Sequence, residues 1–205
     1  MRIVNEPAVL LASTNPGKLR EMRSLLASLA LRVADPAALG LALRVEETGT
    51  DYAQNACLKA EAFARASGWF TLADDTGLEV DALAGAPGLH SARLLPPSAT
   101  DAERRARLLE LLAPLPRPWT ARFRCAMALA GPDGRLDVSS GECPGEIVPI
   151  PRGMAGFGYD PIFEVEHAGR TLAELELPEK NLVSHRARAL AALLPALQKR
   201  LDLPG

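Results

Sequence analysis

The sequence predicts an α/β fold built on a mixed sheet. Helical and strand periods alternate in the first half, and a strand-rich block follows. The chain has 205 residues, 48% hydrophobic and 23% charged, enough apolar material for a substantial core without covalent staples.

The first unit is a short apolar run, Ala8–Thr14, suited to a buried strand and followed at once by a helix. Asn15 is a favoured N-cap and Pro16 a favoured first helical residue, so that helix begins at Pro16 and runs to about Leu29. Leu41–Val45 alternates as a strand would and ends at Glu46-Glu47. A helix from about Asp51 to Ala66 places Tyr52, Ala56, Ala60 and Phe63 on one apolar side. Thr71–Ala73 reads as a strand running into Asp74-Asp75-Thr76-Gly77.

Thr100 and Glu103 have capping-box spacing and open a helix to about Leu112, after which PLPRP at 114–118 suits a surface connection. Strands are expected at Ala121–Ala130, Arg135–Ser140 and Gly145–Pro149, the first two joined by a Gly-Pro-Asp-Gly turn. The glycine-rich loop Gly153–Gly158 comes next. A last helix carries Val183, Ala187, Leu190, Leu194, Leu197 and Leu201, with Pro195 expected to kink or divide it.

Several function classes fall away. A net charge of −2 gives no basic field for a nucleic-acid polymer. No stretch approaches the ~20 apolar residues of a membrane span, and the N-terminal run MRIVNEPAVLLAST is too short and interrupted for a signal peptide. Cys57, Cys125 and Cys143 are odd in number and form no CxxC pair, which points to a reducing, cytoplasmic setting.

Ser13-Thr14-Asn15-Pro16-Gly17-Lys18 closes a strand and opens a helix, so backbone N–H groups, the positive dipole end and the Lys18 ammonium converge where a phosphate can bind. An ordinary capped helix with a solvated lysine is the alternative, and the glycine pattern is not that of a Walker A loop. The doublets Glu46-Glu47 and Asp74-Asp75 are expected at strand ends, the edge where α/β sheets bind ligands. One inward carboxylate from each suits Mg²⁺, and the phase of Leu41, Leu43 and Val45 favours Glu47 over Glu46.

Asn55 and Lys59 are four residues apart on one helix face, close enough in sequence to Glu47 for Lys59 to reach the same anion. In Phe157-Gly158-Tyr159-Asp160 the aromatics can stack on a base and the acid can accept hydrogen bonds; the alternative is a tight loop with its aromatics in the core. Lys180 precedes Ser184-His185-Arg186, donors at a helix start where keto oxygens or phosphates can be bound.

Taken together, ASTNPGK, EETGTDYAQNACLKA, LADDTGLEVDALAGAPGLHSAR, ARFRCAMAL, GFGYDPIF and EKNLVSHRARAL resemble the inosine triphosphate pyrophosphatase family, in order and over essentially the whole chain. The resemblance implies an elongated mixed sheet flanked by helices, with two lobes of a single domain and an active-site cleft between them. It also implies a homodimer, a purine nucleoside triphosphate substrate (ITP, dITP or XTP) split to monophosphate and pyrophosphate, and a requirement for Mg²⁺.

By position, Ser13–Lys18 and Lys59 would hold phosphates, and Glu46 or Glu47 with Asp75 the metal. Asp75 would activate water, as a base or through the metal. Thr76 stands where the family often has Ser, and Phe157–Asp160, Lys180, His185 and Arg186 would form the base pocket. His90 receives no role. A septum-formation type of nucleotide pyrophosphatase is a second enzymatic reading, and a nucleotide-sensing module without catalysis is a non-enzymatic one.

Overall fold

A computed structural model describes residues 6–204, so the first five residues of the N-terminal run lie outside it. The chain divides into two compact units. One comprises Met1–Asp75, Ala126–Gly141 and Arg186–Gly205; the other comprises Thr76–Cys125 and Glu142–His185.

In the first unit, β1 (Ala8–Leu11) pairs in parallel with β2 (Arg32–Ala34) and with β3 (Phe70–Val80). Val9, Leu10 and Leu11 are all buried, as a strand covered on both faces requires. Helix α1 (Pro16–Leu26) starts where Asn15 and Pro16 place it and stops one turn before the expected Leu29. Helix α2 (Tyr52–Ser67) is capped by Asp51, which accepts from the Gln54 amide. Its buried side, Ala56, Ala60, Phe63 and Ala64, packs in one cluster with Leu10 of β1 and Ala73 of β3.

The expected strand Leu41–Val45 does not form. Alternation alone does not make a strand; the sheet ends at β2, and this segment does not pair with it. Leu41 and Val45 instead lie against the α2 cluster, while Leu43 is exposed.

Asp74 and Asp75 do not end a strand either. β3 runs unbroken through both acids and continues to Val80, where it meets β4 (Pro87–Gly88) in antiparallel pairing. The parallel ladder with β1 stops at Leu72, however. The two acids therefore lie just beyond the carboxyl end of the parallel pairing, where α/β sheets present ligand-binding groups.

The second unit holds α3 (Asp101–Leu112), opened by the reciprocal Thr100–Glu103 capping box. Strand β5 (Thr120–Ala130) turns through residues 131–134 into β6 (Leu136–Ile147), a single strand where two were expected. Strand β7 (Phe163–Val165) is antiparallel to β6, giving the pairing order β2-β1-β3-β5-β6-β7 and a mixed sheet, with helices, of the expected α/β class. Strands β3, β5 and β6 contribute to both units. The core of the second unit gathers Leu108, Leu112, Trp119, Phe123, Ile147, Tyr159 and Phe163.

The last helical region is two helices, α4 (Leu177–Val183) and α5 (His185–Leu201), parted by an extended Ser184 (φ −68°, ψ 151°). Val183 thus belongs to α4, and Pro195 lies inside α5 without ending it. Among the described residues no helix is long and apolar enough to cross a membrane, and none of the three cysteines forms a disulfide.

Candidate active site

The opening of α1 is more self-contained than its sequence suggested. Asn15 Oδ1 accepts from the amides of Gly17 (2.8 Å) and Lys18 (3.1 Å), and the Asn15 amide donates to Ser13 Oγ at 3.2 Å. The amides expected to be open to a phosphate are therefore satisfied by the cap itself. Thr14, Asn15 and Pro16 are exposed, and Gly17 is buried.

The Lys18 ammonium is not adrift in solvent. It lies 3.1 Å from Asp74 Oδ2, the oxygen that also accepts from Arg186 Nη2 at 3.0 Å and Nε at 3.2 Å. Arg186 in turn donates to Glu21 on α1. Arg186, Glu21 and Asp74 are 1%, 2% and 4% exposed, so this is a buried ion network, in which every charge needs its partner. Burial alone would raise the Asp74 pKa, but Lys18, Arg186 and Lys59 together hold it well below the ordinary carboxylate value.

Arg186, expected in the base pocket, has its guanidinium engaged by two acids of the first unit.

Lys59 organises the remaining acids. Its Nζ donates to Glu47 Oε1 and to the Asp74 carbonyl oxygen, both at 2.7 Å, and stands 3.8 Å from Asp75 Oδ1. Burial would lower the lysine pKa, but Asp74, Asp75 and Glu47 outweigh it and the net direction is up. Asp75 moves the other way from Asp74: its burial outweighs Lys59 and Lys18, so its pKa is raised.

Glu47 reaches this cluster from an irregular segment, not from a strand end as expected, and Glu46 is exposed. Asn55 is buried and donates from Nδ2 to Asp75 Oδ2 at 3.0 Å.

A hard divalent cation fits this donor set. Glu47 and Asp75 are both oxygen donors and both address the Lys59 ammonium, so their carboxylates face a common point. No three His, Cys, Asp or Glu side chains converge for a metal among the described residues. A hard divalent cation such as Mg²⁺ needs only one or two carboxylates, its shell being completed by phosphate oxygens and water.

In the second unit, Thr76 follows Asp75 along β3 and is half-buried. The Gly153–Gly158 loop is folded around Asp160, whose Oδ2 accepts from the Phe157 amide at 2.8 Å and from the buried Lys180 ammonium. Gly156 has φ +75°, and a Cβ there would stand 2.1 Å from Asp160 Oδ2, so both the conformation and the space require glycine. Lys180 Nζ also lies 5.3 Å from the centre of the half-buried Phe157 ring. The Gly158 carbonyl accepts from Arg105 and its amide donates to Asp101.

Tyr159 departs from the base-stacking expectation. It is 5% exposed, sits in the core of the second unit and donates its hydroxyl to the Ser91 carbonyl at 2.9 Å. Burial pushes its phenol up to about 12. His185 is buried too, its ring stacked on Phe123 at 4.7 Å and 16°.

Two participants escaped the sequence reading. Glu21 had only one signal, an acid beside Met22 on the apolar side of α1; its partner lies 165 residues away. Asp74 was one of an undifferentiated doublet, yet it is the anion shared by Lys18 and Arg186.

Residues 9–196 match the Ham1 family. The chain is 46% identical to a dITP/XTP pyrophosphatase of Nostoc sp. over 95% of this chain and 96% of that protein. It is 43% identical to one of Desulforamulus reducens over 93% and 96%. The solved HAM1 protein of Coxiella burnetii superposes with a TM-score of 0.83 at 41% identity, covering 94% of this chain and 99% of that one. The chain belongs to the Ham1 family.

Proposed function

We propose that the protein hydrolyses non-standard purine nucleoside triphosphates (dITP, XTP and ITP) to the monophosphate and pyrophosphate, clearing them from the nucleotide pool. The observation that carries this reading is the Lys18–Asp74 and Lys59–Glu47–Asp75 cluster at the end of the parallel ladder, in a chain so similar to named dITP/XTP pyrophosphatases. Two ammonium groups among three acids suit a triphosphate better than any neutral ligand.

The bond broken joins the α and β phosphates. A water oxygen attacks phosphorus, the bridging oxygen leaves with the pyrophosphate, and the water proton passes to a base. Asp75 is the candidate for that role, accepting the proton itself or acting through the metal it would hold, with Oδ2 fixed by Asn55 and Oδ1 turned toward Lys59. Lys18 and Lys59 face the negative charge that accumulates on the transferred and leaving oxygens. Glu47 and Asp75 would hold Mg²⁺, which when bound neutralises phosphate charge and makes water more acidic. Glu46, being exposed, is the weaker candidate ligand.

For the base, Phe157 supplies an aromatic face, while Lys180 and His185 supply donors for a 6-keto oxygen. Adenine, with a 6-amino group, would leave those donors unpaired at a cost of roughly 1–3 kcal/mol. Both compact units serve one domain in this reading, and we infer a cytoplasmic homodimer, which light scattering tests.

The functional test is pyrophosphate release from dITP, XTP, dATP and dGTP with Mg²⁺. Turnover of dITP roughly 5- to 150-fold above dATP is expected from that mismatch. Equal rates, or none with dITP, overturn the proposal. If the wild type binds dITP without turnover, the sensing reading replaces it.

A further inference from the structure

Glu47 and Asp75 can share one cation only if something sets their spacing. They come from different places: Asp75 from β3, and Glu47 from an irregular segment with no sheet to fix it. Asn55, on the first turn of α2, touches both places. Its Oδ1 accepts from the Gly49 amide at 2.8 Å, two residues after Glu47, and its Nδ2 donates to Asp75 Oδ2 at 3.0 Å.

The polarity of this contact is fixed from both ends. A backbone N–H can only donate and an ionised carboxylate can only accept, so the position needs a side chain with one acceptor and one donor at amide spacing. Asn55 is only 1% exposed, so its amide answers to these partners and not to bulk water. Gly49 shows how close the fit is. A Cβ there would lie 2.7 Å from Asn55 Oδ1 and 2.7 Å from Gln54 Cβ. The next residues are tied to the same turn, Thr50 to Gln54 Oε1 and Gln54 to Asp51.

We propose that Asn55 is a positioning residue: its amide joins the segment carrying Glu47 to the Asp75 carboxylate and so sets the separation of the two acids. It orients Asp75 as well. With Oδ2 held by Asn55, Oδ1 is the oxygen turned toward Lys59. The proposal rests on the pyrophosphatase reading for its consequence, though not for the contact itself.

The test compares wild type, Asn55→Ala, Gly49→Ala and the double variant. Steady-state dITP hydrolysis is measured against substrate and against Mg²⁺, and Gly49 amide hydrogen exchange is followed by NMR without nucleotide. Asn55→Ala should lower kcat about 10²-fold with KM for dITP changed less than about threefold, as misplacement of a reacting group does. The Mg²⁺ concentration giving half-maximal rate should rise roughly 10-fold, as when a partner orienting a metal ligand is lost.

Gly49→Ala keeps every functional side chain and guards against an Asn55 variant that fails to fold. It should give the same split by pushing the segment off Asn55, and the double variant should be no worse than the poorer single. Exchange at Gly49 should speed up in Asn55→Ala while amides in the centre of α2 stay protected. Loss of stability with kcat and Mg²⁺ dependence intact, additive effects of the two substitutions, or unchanged Gly49 exchange would each overturn the proposal. A wild-type protein inactive on dITP removes the pyrophosphatase reading instead, and the exchange result still decides whether Asn55 makes this tie.

Discussion

Lys18 and Arg186 share a single oxygen: both cations contact Oδ2 of Asp74, at 3.1 and 3.0 Å. One carboxylate oxygen thus couples a lysine that is partly accessible to an arginine that is not. Arg186 is anchored from behind by Glu21, so the whole row is Lys18, Asp74, Arg186, Glu21. The accessible end is suited to substrate, and the buried end holds it in place.

Removing the arginine takes a cation from two buried carboxylates, Glu21 and Asp74, of which Asp74 keeps Lys18 at 3.1 Å. Arg186→Met should destabilise the protein by about 3–5 kcal/mol, the range for breaking a buried ion pair on one side. Urea unfolding measures this directly. Adding Glu21→Gln to Arg186→Met should recover part of the loss, because the buried Glu21 charge that Arg186 had faced is gone. If the double variant is less stable than Arg186→Met, the Glu21 contact is not the strain that remains.

Lys59 should matter to turnover more than to folding. Its ammonium bridges Glu47, the Asp74 carbonyl and Asp75, and the neighbouring acids keep it protonated. Lys59→Met should lower kcat/KM for dITP by roughly 10²–10³-fold, the usual cost of losing one preorganised donor to developing charge. Lys59→Arg should not restore it. A planar guanidinium cannot point at three acceptors clustered around one atom. Recovery by arginine would show that charge alone, without this geometry, is enough.

The legible parts of this fold were those written in local chemistry. Asn15-Pro16 marked the start of α1, and Thr100 with Glu103 marked α3, because caps act within one turn. Leu41–Val45 misled because alternation is local, whereas a strand is defined by the neighbours it pairs with, and this segment does not join the sheet. The Asp74-Asp75 doublet was expected to end a strand, yet β3 runs on through it, with Lys18, Arg186, Lys59 and Asn55 satisfying the acids from three other segments. Sequence could name Lys18, Glu47, Lys59 and Asp75 as candidates. It could not show that Arg186 faces Asp74, since that contact spans 112 residues.

The two aromatics of the glycine loop should separate in experiment. Phe157 is half-buried beside Lys180, whereas Tyr159 belongs to the core of the second unit. Phe157→Ala should raise KM for dITP, with about 1–3 kcal/mol of base stacking lost. Tyr159→Phe keeps the ring and deletes only the hydroxyl that serves the Ser91 carbonyl. Its expected effect is a loss of about 1 kcal/mol in unfolding free energy. A large KM effect from Tyr159→Phe would return that hydroxyl to the substrate.

Acid should weaken the segment that presents Lys180, through Glu179. This residue accepts from Arg170 Nη1 at 2.8 Å and Nη2 at 3.0 Å, and its Oε2 also accepts from the Glu176 amide at 2.8 Å, capping α4. The Arg170 hydrogen bonds first, and the Glu176 amide second, lower its pKa from 4.5 to about 2. A folded-state pKa below the unfolded one means the stabilisation is complete above the unfolded value and is lost as pH falls through the folded one. The window therefore runs from about pH 4.5 down to about 2. Wild type should be more stable than Glu179→Gln at neutral pH, and the two curves of unfolding free energy should converge across that window. Because the group is exposed, salt should shrink the neutral-pH gap. A gap that persists or widens on acidification would mean that Arg170 and the cap do not hold Glu179 in its charged form.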